Sequence, residues 1–306
     1  MPSRDTTVKD VVVVTSDVLA GLPHDRIPLR NSFRLPFHLG RDISIEEIQG
    51  PLVEHILDAC EPAGWNFRPA RPYGQLYSFV RNKPPDVESP VWDEDRELQK
   101  CIALSRLVKP TSVGFEYSAR VVSYANGEAV KVIPGAVAGF GSQAWVAGKS
   151  EDDWLTQGDI DALAELWSKV DLASVPARIQ RAFWLHEYAA RTEDLAIRWI
   201  LASMGVESLI NTGVDRASKQ FIVRMVELAK RFSRKEVSRT QTSKIYEMRS
   251  KIVHGTTLTR ARPNDLELYL CLETTLRDTL RAALNDNEAQ ALFRSEDSVS
   301  QEWPLE

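Results

Sequence analysis

The 306 residues predict two domains of different class, an α+β domain over residues 1–150 and an all-α helical bundle over 151–306. Three observations carry this. The first half combines one-turn apolar spacing with β-branched and aromatic runs around Asn126-Gly127. The second half repeats helical spacing throughout. Between them, a Gly-, Ala- and Ser-rich stretch from Pro134 to Gly158 ends in the acidic run Glu151, Asp152 and Asp153 and carries no periodicity.

Each element has its own signal. Ser44-Ile45-Glu46-Glu47 reads as a capping box, and Ile48, Leu52 and Ile56 follow at one-turn intervals. That predicts a helix over about 44–60, ended by Pro62 and Gly64. A second helix is predicted over 93–108, where Leu98, Ile102 and Leu107 share a face before Pro110. From Val113 to Tyr124 the residues are those of a strand, and EAVKVI resumes the pattern after Asn126-Gly127. An Asn-Gly pair between two such runs predicts a hairpin, because both central turn residues take positive φ. Helices are then predicted over about 159–170, 176–190, 193–211, 216–233, 240–254 and 264–285. Gly213 and Gly255 are placed as C-terminal caps, and short connections make neighbouring helices antiparallel.

Composition narrows the function classes. With 43% apolar and 26% charged residues the chain can bury a core, so disorder is excluded as its dominant state. No apolar stretch approaches membrane-spanning length, since Val11 to Val14 is soon followed by Asp17. MPSRDTTVKD has no apolar signal-peptide core, and a cytoplasmic location is expected. Cys60, Cys101 and Cys271 lie far apart without a CxxC pair, so buried thiols are expected, with no disulfide and no zinc. The formal net charge of −5 argues against nucleic acid only as an average. Residues 216–262 hold 13 Lys/Arg against 3 Asp/Glu, a local net of +10, and residues 263–306 carry −7.

Two motifs have bland explanations. Gly139-Phe-Gly141-Ser-Gln-Ala144 fits a dinucleotide fingerprint, but no βαβ unit surrounds it, and a linker accounts for it better. His186-Glu187 lacks the second histidine of a zincin, position 190 being Ala, and reads as a helix-surface or interface histidine. Neither a cofactor nor a metal is expected.

The informative segment is TQTSKIYEMRSKIVHG, residues 240–255. Ile245, Met248 and Ile252 give its helix a buried stripe, Arg249 stands beside that stripe, and His254 occupies the last turn before Gly255. A helix C-terminus favours a cation. Tyr246-Glu-Met-Arg249-Ser250-Lys-Ile-Val-His254-Gly255 resembles the YxxRSxIxHG signature of the Apea-like branch of the HEPN superfamily, whose ribonucleases carry Arg-x(4–6)-His. The resemblance covers residues about 155–290 and includes Glu207 in GVESLI. Arg181-Ala-Phe-Trp-Leu-His186 has the same Arg-to-His spacing, but without a polar first variable position or a closing glycine it reads as a decoy.

The resemblance implies a HEPN-type bundle that acts as a metal-independent endoribonuclease at a homodimer interface. It also implies a toxin-like effector in stress or antiphage defence, with residues 1–150 as sensor or regulator and point of contact for a regulatory partner. Such chemistry needs a proton acceptor for the RNA 2′-OH, a proton donor for the leaving 5′-oxygen and a cation for the phosphorane. His254 would serve as acid or base and Arg249 as the cation. Ser250 would orient the site or bind phosphate, with Tyr246 beside it. Glu207 either holds Arg249 in position or is a helix-surface carboxylate. Lys244, Lys251, Arg260 and Arg262 would bind the RNA backbone. Five residues along a helix rotate about 140°, so Arg249 and His254 of one copy diverge and a two-fold partner relaxes the constraint. The alternative is a non-catalytic HEPN-type module that binds RNA, a nucleotide or a protein.

Overall fold

A computed structural model describes residues 6–16, 34–49, 51–60, 75–82, 96–110, 113–124, 129–134, 155–192, 194–213, 215–255 and 262–305. The chain divides into two compact units, Met1–Ser168 and Lys169–Glu306.

In the first unit, strands β1 (Thr6–Ser16), β2 (Phe37–Gly40), β3 (Ile43–Gln49), β4 (Gln75–Asn82), β5 (Val113–Tyr124) and β6 (Ala129–Pro134) form one sheet in the order β2-β3-β4-β1-β5-β6. Every neighbouring pair is antiparallel. The predicted hairpin is present as the β5–β6 pair, while its turn, Asn126-Gly127, lies outside the described residues. On one face Val11, Val80, Ala119 and Val121 pack with Ile48 and with Ile56 of helix α1 (Pro51–Cys60). Helix α2 (Arg96–Val108) buries Leu98, Ile102 and Leu107, as its spacing predicts. Inside the sheet, Arg120 on β5 grips Asp10 on β1 with two hydrogen bonds of 2.7 and 2.9 Å.

The expected helix over 44–60 is corrected. Residues 43–49 are strand β3, and the helix begins only at Pro51, a residue suited to the first helical position. Ser44 Oγ donates to Glu46 Oε1 at 2.7 Å and caps nothing. Alternation decided the outcome, because Ile43 and Ile45 are 1% and 0% exposed and both pair with β4. Helix α3 (Gln157–Lys169) packs with this unit, where Trp167 Nε1 donates to the Gly40 carbonyl at 3.3 Å. The glycine-rich segment 139–144 lies outside the described residues.

The second unit is helical. Helices α4 (Ala177–Ala190), α5 (Leu195–Ile210), α6 (Ala217–Phe232), α7 (Arg239–Val253) and α8 (Pro263–Asn285) match the predicted spans to within a few residues. Two short helices, α9 (Asn287–Leu292) and α10 (Glu296–Glu302), are additional. α8 packs against α4, α5, α6 and α7, and its Leu272, Leu276 and Leu280 are fully buried. Gly205 lets α5 approach α8, since a Cβ there would stand 2.7 Å from Leu276 Cδ2. Gly213 falls two residues beyond the α5 C-cap, Asn211, so it is not the capping glycine expected. Cys101 and Cys271 are buried free thiols, and burial pushes the Cys101 thiol far up; the Cys60 side chain is outside the described set. Among the described residues no helix is long and apolar enough to cross a membrane.

Candidate functional site

Helix α7 starts at a capping box, in which Ser238 Oγ accepts from the Gln241 amide and the Gln241 side chain accepts from the Ser238 amide. Ile245 and Ile252 are buried and Met248 is half-buried, the stripe its spacing predicts. Trp199 on α5 donates its indole N–H to the Ile245 carbonyl at 3.2 Å and fixes where α7 lies against α5.

This placement positions Arg249. Its Nη2 donates to Glu207 Oε2 at 3.2 Å, and its guanidinium stands 5.9 Å from the centre of the Tyr246 ring. Tyr246 is in turn held 5.4 Å from the Phe221 ring on α6. Glu207, open to two readings in the sequence, therefore faces Arg249 and is not a free surface carboxylate. Burial raises the Glu207 carboxyl above its ordinary range, and the charge and hydrogen bond of Arg249 pull back only part of that rise. Arg249 Nε is buried and has no hydrogen-bond partner among the described residues.

His254 is the C-cap of α7. Its backbone N–H donates to the Ser250 carbonyl at 3.0 Å, and Gly255 takes φ 94°, the left-handed conformation that a glycine accepts after a helix end. The imidazole is exposed and has no partner among the described residues. Lys244, Glu247 and Lys251, also exposed, share a face of α7 by their spacing, and His254 stands at its end. Two groups result. Arg249, Tyr246 and Glu207 meet on the side toward α5, whereas Lys244, Lys251 and His254 lie on the solvent side. Ser250 is half-buried and touches the motif through its carbonyl; Arg262 is exposed at the N-cap of α8, and Arg260 lies outside the described residues.

Set beside protein-family models, curated proteins and solved structures, the chain matches none of them.

The structure also shows what the basic segment does. Arg224 is 2% exposed and donates to the carbonyls of Ile210 and Trp303 and to Thr212, Gln220 and Ser300. Arg231 pairs with Glu302, Arg234 with Asp278 and Lys230 with Glu227. Two charges of the local +10, those of Arg231 and Arg234, are therefore offset inside the unit by acids of the 263–306 segment, which folds back onto the basic one. No local pattern announced the Arg224 cluster, since four of its five acceptors lie 12 or more residues away in sequence.

His186, expected as a helix-surface or interface histidine, is corrected to a core residue of its own unit. It is 5% exposed, and its Nε2 lies 3.4 Å from Glu273 Oε1, which Arg277 also grips at 3.0 Å. Although burial pushes the Glu273 carboxyl up, the bonds and charges of His186 and Arg277 hold it below its ordinary range. Among the described residues no cluster of three or more His, Cys, Asp or Glu is placed to hold a metal ion.

Proposed function

We propose that the helical unit is a HEPN-type, metal-independent endoribonuclease acting as a cytoplasmic homodimer, with His254 as acid or base and Arg249 as the cation on the phosphorane. The observation that carries this reading is the Arg249–Glu207 pair. An arginine of the YxxRSxIxHG segment is held at 3.2 Å by a partner from another helix, while the histidine of the same segment stands free in solvent. A purely structural helix end has no need of that division. The divergence of the two side chains by about 140° favours assembly from two copies, so that Arg249 of one meets His254 of the other. Val253, 50% exposed beside His254, supplies apolar surface for such a contact. Lys244, Lys251 and Arg262 would carry the backbone of the RNA. The role in defence and the regulatory use of residues 1–150 belong to the same proposal and rest on the resemblance.

The test is cleavage of single-stranded RNA in EDTA, with products analysed for 2′,3′-cyclic phosphate ends. His254→Ala and Arg249→Ala abolish cleavage, and the exposed His38→Ala in the other unit leaves it unchanged. Cleavage that persists in the His254 variant overturns the assignment. RNA binding without any product would favour the non-catalytic module, a reading supported by the exposed Lys244 and Lys251 on one face.

A further inference from the structure

A groove of about 470 Å³ is lined by residues of α4 and α5, Glu207 among them, and by Glu296 of α10. Its lining includes Arg178, Arg181, Leu185, Met204, Glu207 and Asn211. Its volume falls in the range of small-ligand sites.

The polar groups are unequal. Arg178 is committed: its Nη1 donates to the carbonyls of Ser208, Leu209 and Asn211, and its Nη2 to Glu296 Oε1 at 3.2 Å. It closes the C-terminus of α5, where four carbonyls have no helical partner. Arg181, one turn further along α4, is exposed and has no partner among the described residues. Asn211 also lines the groove, but its Oδ1 is itself buried and has no hydrogen-bond partner among the described residues, so it offers no acceptor to a ligand there. Leu185 and the 41% exposed Met204 supply apolar walls between them. With Arg178 offset by Glu296 and Arg249 by Glu207, the charge left over is the single cation of Arg181.

A guanidinium free of partners among the described residues and apolar walls in one groove fit an anionic group joined to a flat apolar-faced ring. We propose that the groove is a nucleotide subsite. It holds one nucleotide of the RNA strand next to the scissile phosphate, with its phosphate on Arg181 and its base between Leu185 and Met204. This rests on the ribonuclease reading, because Glu207 forms both a wall of the groove and the anchor of Arg249. It also gives the Arg181–His186 pair a divided fate, His186 serving the core and Arg181 the substrate.

The experiment titrates the full chain against a fluorescein-labelled 2′-O-methyl oligonucleotide, which cannot be cleaved, at several salt concentrations. Arg181→Ala weakens binding about tenfold and lowers the slope of log affinity against log salt by about 0.7, the loss of one single-strand phosphate contact. Met204→Ala weakens binding several-fold with the slope unchanged. Both side chains are exposed, so both variants keep the wild-type melting temperature within about 2 °C. No binding by the wild type, or an unchanged affinity in either variant, overturns the groove. Parallel assays on cleavable RNA separate the two readings. Wild-type cleavage with an unaltered KM in Arg181→Ala removes the groove and leaves His254 and Arg249 in place. Binding that depends on Arg181 and Met204, with no cleavage by any protein, upholds the groove and overturns the ribonuclease.

Discussion

Glu207 on α5 accepts a hydrogen bond from Arg249 on α7 at 3.2 Å, across 42 positions of sequence. The pair is part-buried, and burial outweighs the guanidinium in setting the Glu207 carboxyl, which is raised. The folded protein therefore binds this proton more readily than the unfolded chain does. The stabilisation that follows is present below the ordinary carboxylate pKa and is lost as pH rises through the raised value. Glu207→Gln removes it. In thermal melts at a series of pH values, the wild type gains on Glu207→Gln as pH falls from about 7 to 4. A difference that does not move with pH would contradict this.

Glu207 touches no reacting atom in the proposed chemistry and acts through Arg249, so it is a positioning residue. Glu207→Gln should lower kcat for RNA cleavage roughly tenfold, about 1.4 kcal/mol, with KM nearly unchanged. Arg249→Lys should not restore activity, since an ammonium cannot present the planar fork of a guanidinium. Steady-state kinetics on a short RNA read both. An equal change in KM for Glu207→Gln would assign it to binding instead.

Glu273 carries the opposite sign. Its carboxyl is held below the ordinary range by His186 and Arg277 against the effect of burial, so its contribution is present above the ordinary pKa and lost as pH falls through the lowered value. Glu273→Gln should cost about 3 kcal/mol at neutral pH, and less as the solution is made acidic. Urea denaturation at two pH values measures it.

Arg224 binds two backbone carbonyls and three side chains from the core side of α6, and burial and the nearby Arg178 lower its pKa. Arg224→Met removes the charge and leaves the carbonyls of Ile210 and Trp303 without this donor. The expected loss is about 3 kcal/mol, with the Trp303 end of the chain becoming sensitive to protease.

Gly205→Ala should destabilise by about 1–2 kcal/mol although alanine is the better helix former, because its Cβ meets Leu276 Cδ2 at 2.7 Å in a closed core. Adding Leu276→Val should return part of that loss, and an additive double variant would show that the contact is not the cause.

The helices of the second unit were legible because their signals are local. The Ile245 to Ile252 stripe and Gly255 each act within a turn or two. The β5–β6 hairpin was legible for the same reason. Strand β1 was not read as an element, although it is paired on both sides, with β4 and with β5. A continuous apolar run such as Val11 to Val14 has no period of its own, and its partners lie tens of residues away. The 44–60 segment failed differently. Its one-turn spacing from Ile48 to Ile56 is genuine only beyond Pro51, and pairing of β3 with β4 overrode the capping pattern before it.

By itself the sequence determined the class of each half, the spans of α4 to α8 and the residue types present on α7, since periodicity and residue identity need no distant partner. Tertiary structure alone decided that Arg249 faces Glu207, that His186 is core, that Arg181 is free, and that part of the basic segment is neutralised from 263–306. Each of these depends on which helices pack together, and that is settled by burying apolar faces over the whole unit, with the polar partners carried into place by that packing.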